Sequence, residues 1–252
     1  MTSAVHRSLL TVAAQLSYLC AFTLFDNQEQ GASQHYYLTG LRLATEADDR
    51  ASMALILRGL SLQAHSRGHR RQAVDLAEAA VGQTASHLPR NYRAALLGQQ
   101  AVAAAAAGDR HRALSHLNAA ERHLDRDSNA ATPIGAYNRA SFAHQQAEVT
   151  AALGDLGGAI PALRIAVTQR PGDERRSRLI VRHRLAEMQL SLGQLEAACS
   201  TWQLFLDDYP YVRSRRADHA LASLRAKIHP YRASRAANTL LHRAATLPDV
   251  DL

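Results

Sequence analysis

The sequence predicts an all-α protein, a right-handed α-solenoid of about five helical hairpins closed by a C-terminal pair of capping helices. Three observations predict it. Ala, Leu, Arg, Glu and Gln dominate while Phe, Tyr and Trp together make up 5% of the chain, a composition that favours helices. Apolar residues recur with a period near 3.6. One short pattern also returns at intervals of 39–46 residues, the spacing of stacked helical repeats.

The pattern is a Gly followed five residues later by an Ala. It reads Gly68-His-Arg-Arg-Gln-Ala73, Gly108-Asp-Arg-His-Arg-Ala113, Gly154-Asp-Leu-Gly-Gly-Ala159 and Gly193-Gln-Leu-Glu-Ala-Ala198. A weaker copy, Asn27-Gln-Glu-Gln-Gly-Ala32, puts Asn in place of the Gly; Asn is the other residue that tolerates left-handed backbone. Each anchor ends one helix, and the small Ala lets the next helix cross closely over it.

The first helices carry Leu57, Leu60 and Ala64 before Gly68, then Leu97, Ala101 and Ala104 before Gly108, then Leu185 before Gly193. The second helices carry Leu76, Ala77 and Ala80, then Leu117 and Ala120, then Leu163 and Ala166, then Trp202 and Phe205. Pro171 and Pro210, each 17 residues beyond their Gly, close a second helix, since proline cannot continue it. Pro161 is expected in a first helical turn, where its missing N–H is not needed. Five hairpins therefore span about residues 5–210, and helices over 213–227 and 231–246 follow, broken at His229-Pro230. We read 1–210 as the solenoid and 211–252 as a basic capping pair in the same domain, since a last repeat would otherwise expose its apolar face.

The Gly-x4-Ala turn, the apolar steps after it and the terminal Pro resemble tetratricopeptide (TPR) repeats, in copies longer than usual and with the large residues of the first helix mostly replaced by Ala, Leu or Ser. A closer resemblance is carried by Ala14-Gln-Leu-Ser-Tyr-Leu-Cys-Ala-Phe-Thr-Leu-Phe-Asp26, Tyr36-Tyr-Leu-Thr-Gly-Leu-Arg-Leu-Ala44, Leu55-Ile-Leu-Arg-Gly-Leu-Ser-Leu-Gln-Ala64 and Leu221-Ala-Ser-Leu-Arg-Ala-Lys-Ile-His-Pro-Tyr-Arg232. These stretches look like the sensor region of actinobacterial XRE-type helix-turn-helix regulators. The resemblance implies a regulatory protein–protein interaction module in transcription or development. In that family a DNA-binding domain precedes the repeats. Here the first repeat opens the sequence, so direct sequence-specific DNA binding is not expected.

Composition bounds the function further. No stretch approaches the ~18 unbroken apolar residues of a membrane span, the first ten residues lack the pattern of a signal peptide, and Cys20 and Cys199 lie far apart in helical text. A reduced, cytoplasmic protein without a membrane partner is expected. The net charge of +7 is concentrated in residues 211–245, where Arg213, Arg215, Arg216, Arg225, Lys227, Arg232, Arg235 and Arg243 face Asp218 alone. That cluster reads as a solvated cap, with non-specific, salt-sensitive nucleic-acid binding as an alternative. No phosphate loop, Cys-x-x-Cys, His-Glu-x-x-His or Gly-x-Ser-x-Gly is present, so neither catalysis nor a cofactor is expected.

Solenoids bind on the concave face lined by the first helix of each hairpin. Counting back from the anchors, the equivalent ridge positions are Ser17, Arg58, Gly98, His144 and His183, and one turn later Ala21, Leu62, Val102, Glu148 and Glu187. Arg58, Gln99, Gln145 and Arg184 share that face and suit a peptide backbone or a carboxylate, Arg in bidentate fashion. His144, Glu148, His183 and Glu187 complete the expected partner-binding set. The two His-x-x-x-Glu pairs also suggest a divalent metal as an alternative, against a plain reading as surface i,i+4 pairs worth ~0.2–0.5 kcal/mol each. Tyr18, Phe22, Phe25, Tyr36 and Tyr37 concentrate the aromatics in the first hairpin; they read as packing, with a second copy of the chain a candidate partner for any apolar side left over.

Overall fold

The computed structural model describes residues 3–83, 88–124 and 137–247. Among the described residues the secondary structure is helical throughout, and the fold is an all-α, TPR-like solenoid. The helices are α1 (Ser3–Asp26), α2 (Gln30–Glu46), α3 (Arg50–Ser66), α4 (Arg70–Gly82), α5 (Arg90–Ala106), α6 (Arg110–His123), α7 (Arg139–Ala152), α8 (Leu156–Thr168), α9 (Arg175–Ser191), α10 (Leu195–Asp208), α11 (Arg215–Ile228) and α12 (Arg235–Ala245). Single 3-10 turns, Tyr209–Tyr211 and His229–Tyr231, introduce α11 and α12. The chain divides into two compact units, Met1–Gly154 and Asp155–Leu252. In the first, α1/α2, α3/α4 and α5/α6 pair as hairpins and α7 packs on α5; in the second, α9 pairs with α10, α8 and α11 pack on α9, and α12 packs on α10.

Three residues turn each of these corners. Gly68, Gly108, Gly154 and Gly193 take φ of +78°, +86°, +92° and +74°, as their helix-ending role requires. The next residue then sends its N–H back over the finished helix: His69 to Ala64 O, Asp109 to Ala104 O, Gln194 to Gln189 O, each at 2.9 Å. Asp109 and Asp155 do a second task, capping the new helix by accepting from Arg112 N and Gly158 N. In the first hairpin the left-handed residue is Gln28 (φ +62°), not Asn27. The α2–α3 corner, where no glycine marks it, repeats the same device with Asp48 (φ +53°) and the cap Asp49, which accepts from Ser52 N.

Counted from the left-handed residue within the α1/α2, α3/α4, α5/α6 and α9/α10 hairpins, the positions seven before and five after are small. The pairs are Ala21/Ser33, Ser61/Ala73, Ala101/Ala113 and Ala186/Ala198, and every member is 0% exposed. These are the points where two helices of a hairpin come nearest, and any larger side chain would separate them. Gln28 thus makes Ser33, not Ala32, the counterpart of the alanines.

The second unit is built around Trp202, Phe205, Leu206, Leu221 and Leu224, all at most 2% exposed. Asp208 at the end of α10 pins α9 by accepting from Arg178 Nε (2.9 Å) and Nη2 (3.0 Å) and from Arg182 Nη1 (2.7 Å). α11 and α12 bury one face each against this core, through Ala217, Leu221, Leu224 and Ile228 and through Ala237, Leu240 and Ala244. Two expectations need correction. Pro161 lies inside α8 in its second turn, so the bond its N–H would have made to Gly157 is lost. And α1 is long and apolar enough to cross a membrane by length and composition, with a mean hydropathy of 1.6 over an 18-residue stretch within Ala4–Asp26. Ser, Thr, Gln and Tyr break up its apolar run without lowering the average much.

Candidate binding face

In the first unit the ridge runs Tyr18, Arg58, Gly98, His144, because the corner at Gln28 moves the α1 position from Ser17 to Tyr18. Arg58 on α3 is half-buried and reaches to α5, where its Nε donates to Ala95 O at 3.3 Å. It also donates to the Tyr18 hydroxyl. Burial pushes the phenols of Tyr18, Tyr37 and Tyr137 upward, and the Arg58 charge works against all three shifts, so one guanidinium is the common electrostatic neighbour of three tyrosines. No carboxylate faces Arg58 among the described residues.

The tyrosines are held by cross-helix contacts. Tyr18 and Tyr37 meet edge to face at 5.8 Å between centroids. Tyr37 is fully buried, and its Oη has no hydrogen-bond partner among the described residues. Its ring lies over Gly59, where a Cβ would come within 2.5 Å of Cε1 and 2.9 Å of Oη. Gly98 has the same role in the next repeat: a Cβ there would sit 1.9 Å from Gln145 Oε1 and 2.8 Å from Tyr137 Oη. Sequence reasoning read Tyr18 and Tyr37 as packing only and did not single out Tyr137. The signal for all three was a glycine in the first helix of a repeat, which makes room for a large side chain from a neighbouring element.

Gln99 and Gln145 were expected on an open face and are instead buried, at 2% and 9% exposure. Gln99 Nε2 donates to Ser61 Oγ at 3.1 Å, and Gln145 Oε1 accepts from Tyr137 Oη at 2.5 Å. The physical reason is the alanine content of α5, which lets neighbouring helices close over positions that longer side chains would hold open. His144 and Glu148, on α7, form a half-buried pair at 3.7 Å.

In the second unit His183 and Glu187 pair at 3.3 Å, but they are part of the packing between α9, α10 and α11. Trp202 Nε1 donates to His183 Nδ1 at 3.2 Å, and the imidazole lies against the rings of Trp202 and Phe205. Glu187 accepts from Ser223 Oγ at 3.3 Å and from Lys227, both on α11, and lies 3.8 Å from Arg184. Burial works to raise the Glu187 carboxyl, but the hydrogen bonds and charges of His183 and Lys227 outweigh it and bring it down to about 2. At His183 and Glu187 the ridge of α9 is therefore covered by α11. His144 and Glu148 belong to the first unit and His183 and Glu187 to the second. Among the described residues no three His, Cys, Asp or Glu side chains converge as a metal would require.

The basic helices also spend part of their charge within the fold. Arg225 donates to Ala244 O and Leu247 O, and Arg243 to Gln203 and Asp207. Arg175 stacks over the exposed Tyr211 ring at 4.6 Å. An open groove of about 480 Å³ runs between α10 and α12 past Glu196, Gln203 and Arg235. Cys199 lines it, but burial pushes its thiol up, away from the thiolate a nucleophile needs.

No family model matches the chain, and no curated protein matches it. Solved structures do. A thermophilic TPR protein of Thermus thermophilus is 22% identical with a TM-score of 0.54, covering 79% of this chain and 92% of its own. A putative kinesin light chain of Podospora anserina with nearly identical TPR-like repeats is 21% identical with a TM-score of 0.51, covering 75% and 92%. At these identities the likeness is one of fold.

Proposed function

We propose that the chain is a non-enzymatic regulatory module that captures a peptide or protein partner on the first-helix face of its first unit, with Arg58 taking a carboxylate from the partner. The observation that carries this reading is the surroundings of Arg58. A half-buried guanidinium among three phenols, with one N–H spent on a backbone carbonyl and no carboxylate opposite, is costly for folding alone. Its planar fork suits an incoming carboxylate, and the Tyr18 hydroxyl beside it adds a polar contact. Gln99 and Gln145 act from behind, holding Ser61 and Tyr137. His144 and Glu148 extend the face along α7.

TPR-like folds commonly mediate protein–protein interaction, which is the class of function proposed. The resemblance to regulator sensor regions supports a role in transcriptional or developmental control, in a reduced cytoplasmic setting consistent with two free cysteines. Selection from a displayed peptide library tests the reading. The native chain should enrich peptides with an acidic side chain or a free C-terminus, and Arg58→Gln should lose that enrichment at least tenfold with its helical content unchanged. Equal enrichment by Arg58→Gln would remove Arg58 from the site.

A further inference from the structure

The outer face of α1 carries large apolar side chains in an order of its own. Val5, Leu9, Val12, Leu16 and Leu19 are 49%, 55%, 52%, 57% and 44% exposed. Their spacing is 4-3-4-3, a repeat of 3.5 residues, and the exposed Thr23 continues it. This is the seam of a helix that packs along another helix, not the broader stripe of one resting on a globular core. The core-facing side of α1 is separate: Ala14, Tyr18, Ala21 and Phe25 are at most 6% exposed. α1 is thus apolar on two sides with one of them uncovered, and such a helix is a buried one.

We propose that this seam is closed by α1 of a second copy of the chain, packed antiparallel, in a symmetric dimer. Four features of the face argue for it. First, the seam is self-complementary in that direction: Val5 meets Leu19 of the other copy, Leu9 meets Leu16, and Val12 meets Val12, giving five layers of similar volume. Second, nothing along it repels a copy of itself. Between Ser3 and Phe25 the sole full charge is Arg7, with His6 beside it, and both lie at the N-terminal end. Antiparallel packing brings them to the negative end of the partner's helix dipole, whereas parallel packing would set like charges and like dipole ends together.

Third, the flanks are ready to lose water. The hydroxyls of Ser8, Ser17 and Thr23 already donate to the carbonyls of Ala4, Ala13 and Leu19, so little polar capacity is stranded on burial. Fourth, the area suffices. The five side chains expose roughly 450 Å², the size of the largest patch a monomer ordinarily carries. Two copies with their flanks bury on the order of 1,000–1,200 Å², the lower bound of a specific interface.

A lipid surface fits the face less well. An interfacial helix sets Lys and Arg beside its apolar stripe, and α1 has Arg7 alone. Crossing a bilayer would strip Ala14, Tyr18 and Ala21 from the core they share with α2 and α3.

Sedimentation equilibrium of the full chain is the test. We expect twice the 27.5 kDa chain mass at micromolar concentration, falling to 27.5 kDa in Leu9→Glu/Leu16→Glu with the circular dichroism spectrum unchanged. A native chain that stays at single mass up to hundreds of micromolar overturns the proposal, as does a double variant that still dimerises. Native monomers that float with phosphatidylglycerol vesicles, with flotation lost in the double variant, overturn it in favour of a membrane. Direction is read from Cys20, which is exposed next to Leu19. Ala4→Cys should yield a covalent dimer on mild oxidation where the native chain yields none; covalent dimers of the native chain would mean parallel packing and overturn the antiparallel arrangement.

Discussion

Ser61 Oγ donates to Ala73 O at 2.8 Å, joining α3 to α4 at the point where the two helices come nearest. Ser33 Oγ makes the reciprocal contact to Ala21 O, also at 2.8 Å, from the second helix of its hairpin to the first. One hydroxyl at a crossing can therefore sit on either helix, provided that its partner there is alanine.

Ser61 also accepts from Gln99 Nε2, so Ser61→Ala strands a buried amide. We expect a loss of about 1–3 kcal/mol in urea unfolding. Combined with Gln99→Leu, which removes the stranded group, the loss should be smaller than the sum of the two single effects. Strict additivity would show that the two side chains are not coupled.

Gly59→Ala is expected to destabilise the first unit although alanine is the better helix former by about 1 kcal/mol. The added methyl meets the fully buried Tyr37 ring, which has no free space to turn into. A net loss of about 1–2 kcal/mol should appear in chemical denaturation. The paired variant Gly59→Ala/Tyr37→Leu should recover some of it, and a failure to recover would place the clash elsewhere.

Asp208→Ala leaves Arg178 and Arg182 facing each other without their shared carboxylate. Both guanidinium groups are largely buried, and we expect a loss of about 3 kcal/mol, in the range for breaking such a pair. Asp208→Asn, which retains the shape and one acceptor oxygen, should lose less. If Asp208→Ala unfolds at the native denaturant midpoint, the pin between α9 and α10 contributes nothing.

Glu187 contributes a pH dependence of definite sign. Its carboxyl is lowered from about 4.5 in the unfolded chain to about 2 in the fold. The stabilisation is therefore complete above pH 4.5 and disappears as the pH falls toward 2. Glu187→Gln should be less stable than the native chain at neutral pH, and the gap should close on acidification through that window. A constant gap would contradict the depressed value.

Helix boundaries and corners were readable wherever glycine marked them. At Gly68, Gly108, Gly154 and Gly193 backbone conformation follows directly from residue type. At the first corner residue type misled, because Asn tolerates left-handed backbone better than Gln. The fold places the turn at Gln28 to bring Ser33 opposite Ala21. The corner at Asp48 offered no glycine at all. Burial of Gln99 and Gln145 was not legible, since it depends on how near alanine-rich helices approach one another. Nor was the covering of His183 and Glu187, which is done by Ser223 and Lys227 from a helix about forty residues downstream. Local periodicity assigns a face to each helix, but which neighbour occupies that face is decided by packing at long range.

Trp202, the single tryptophan of the sequence, is fully buried with its indole N–H on His183. The protein consequently carries one intrinsic indole fluorophore, and it stands in the second unit. Emission excited selectively at the indole reports the integrity of that unit alone. Because the indole N–H reaches from α10 to His183 on α9, the same emission also reports how closely those two helices are held together.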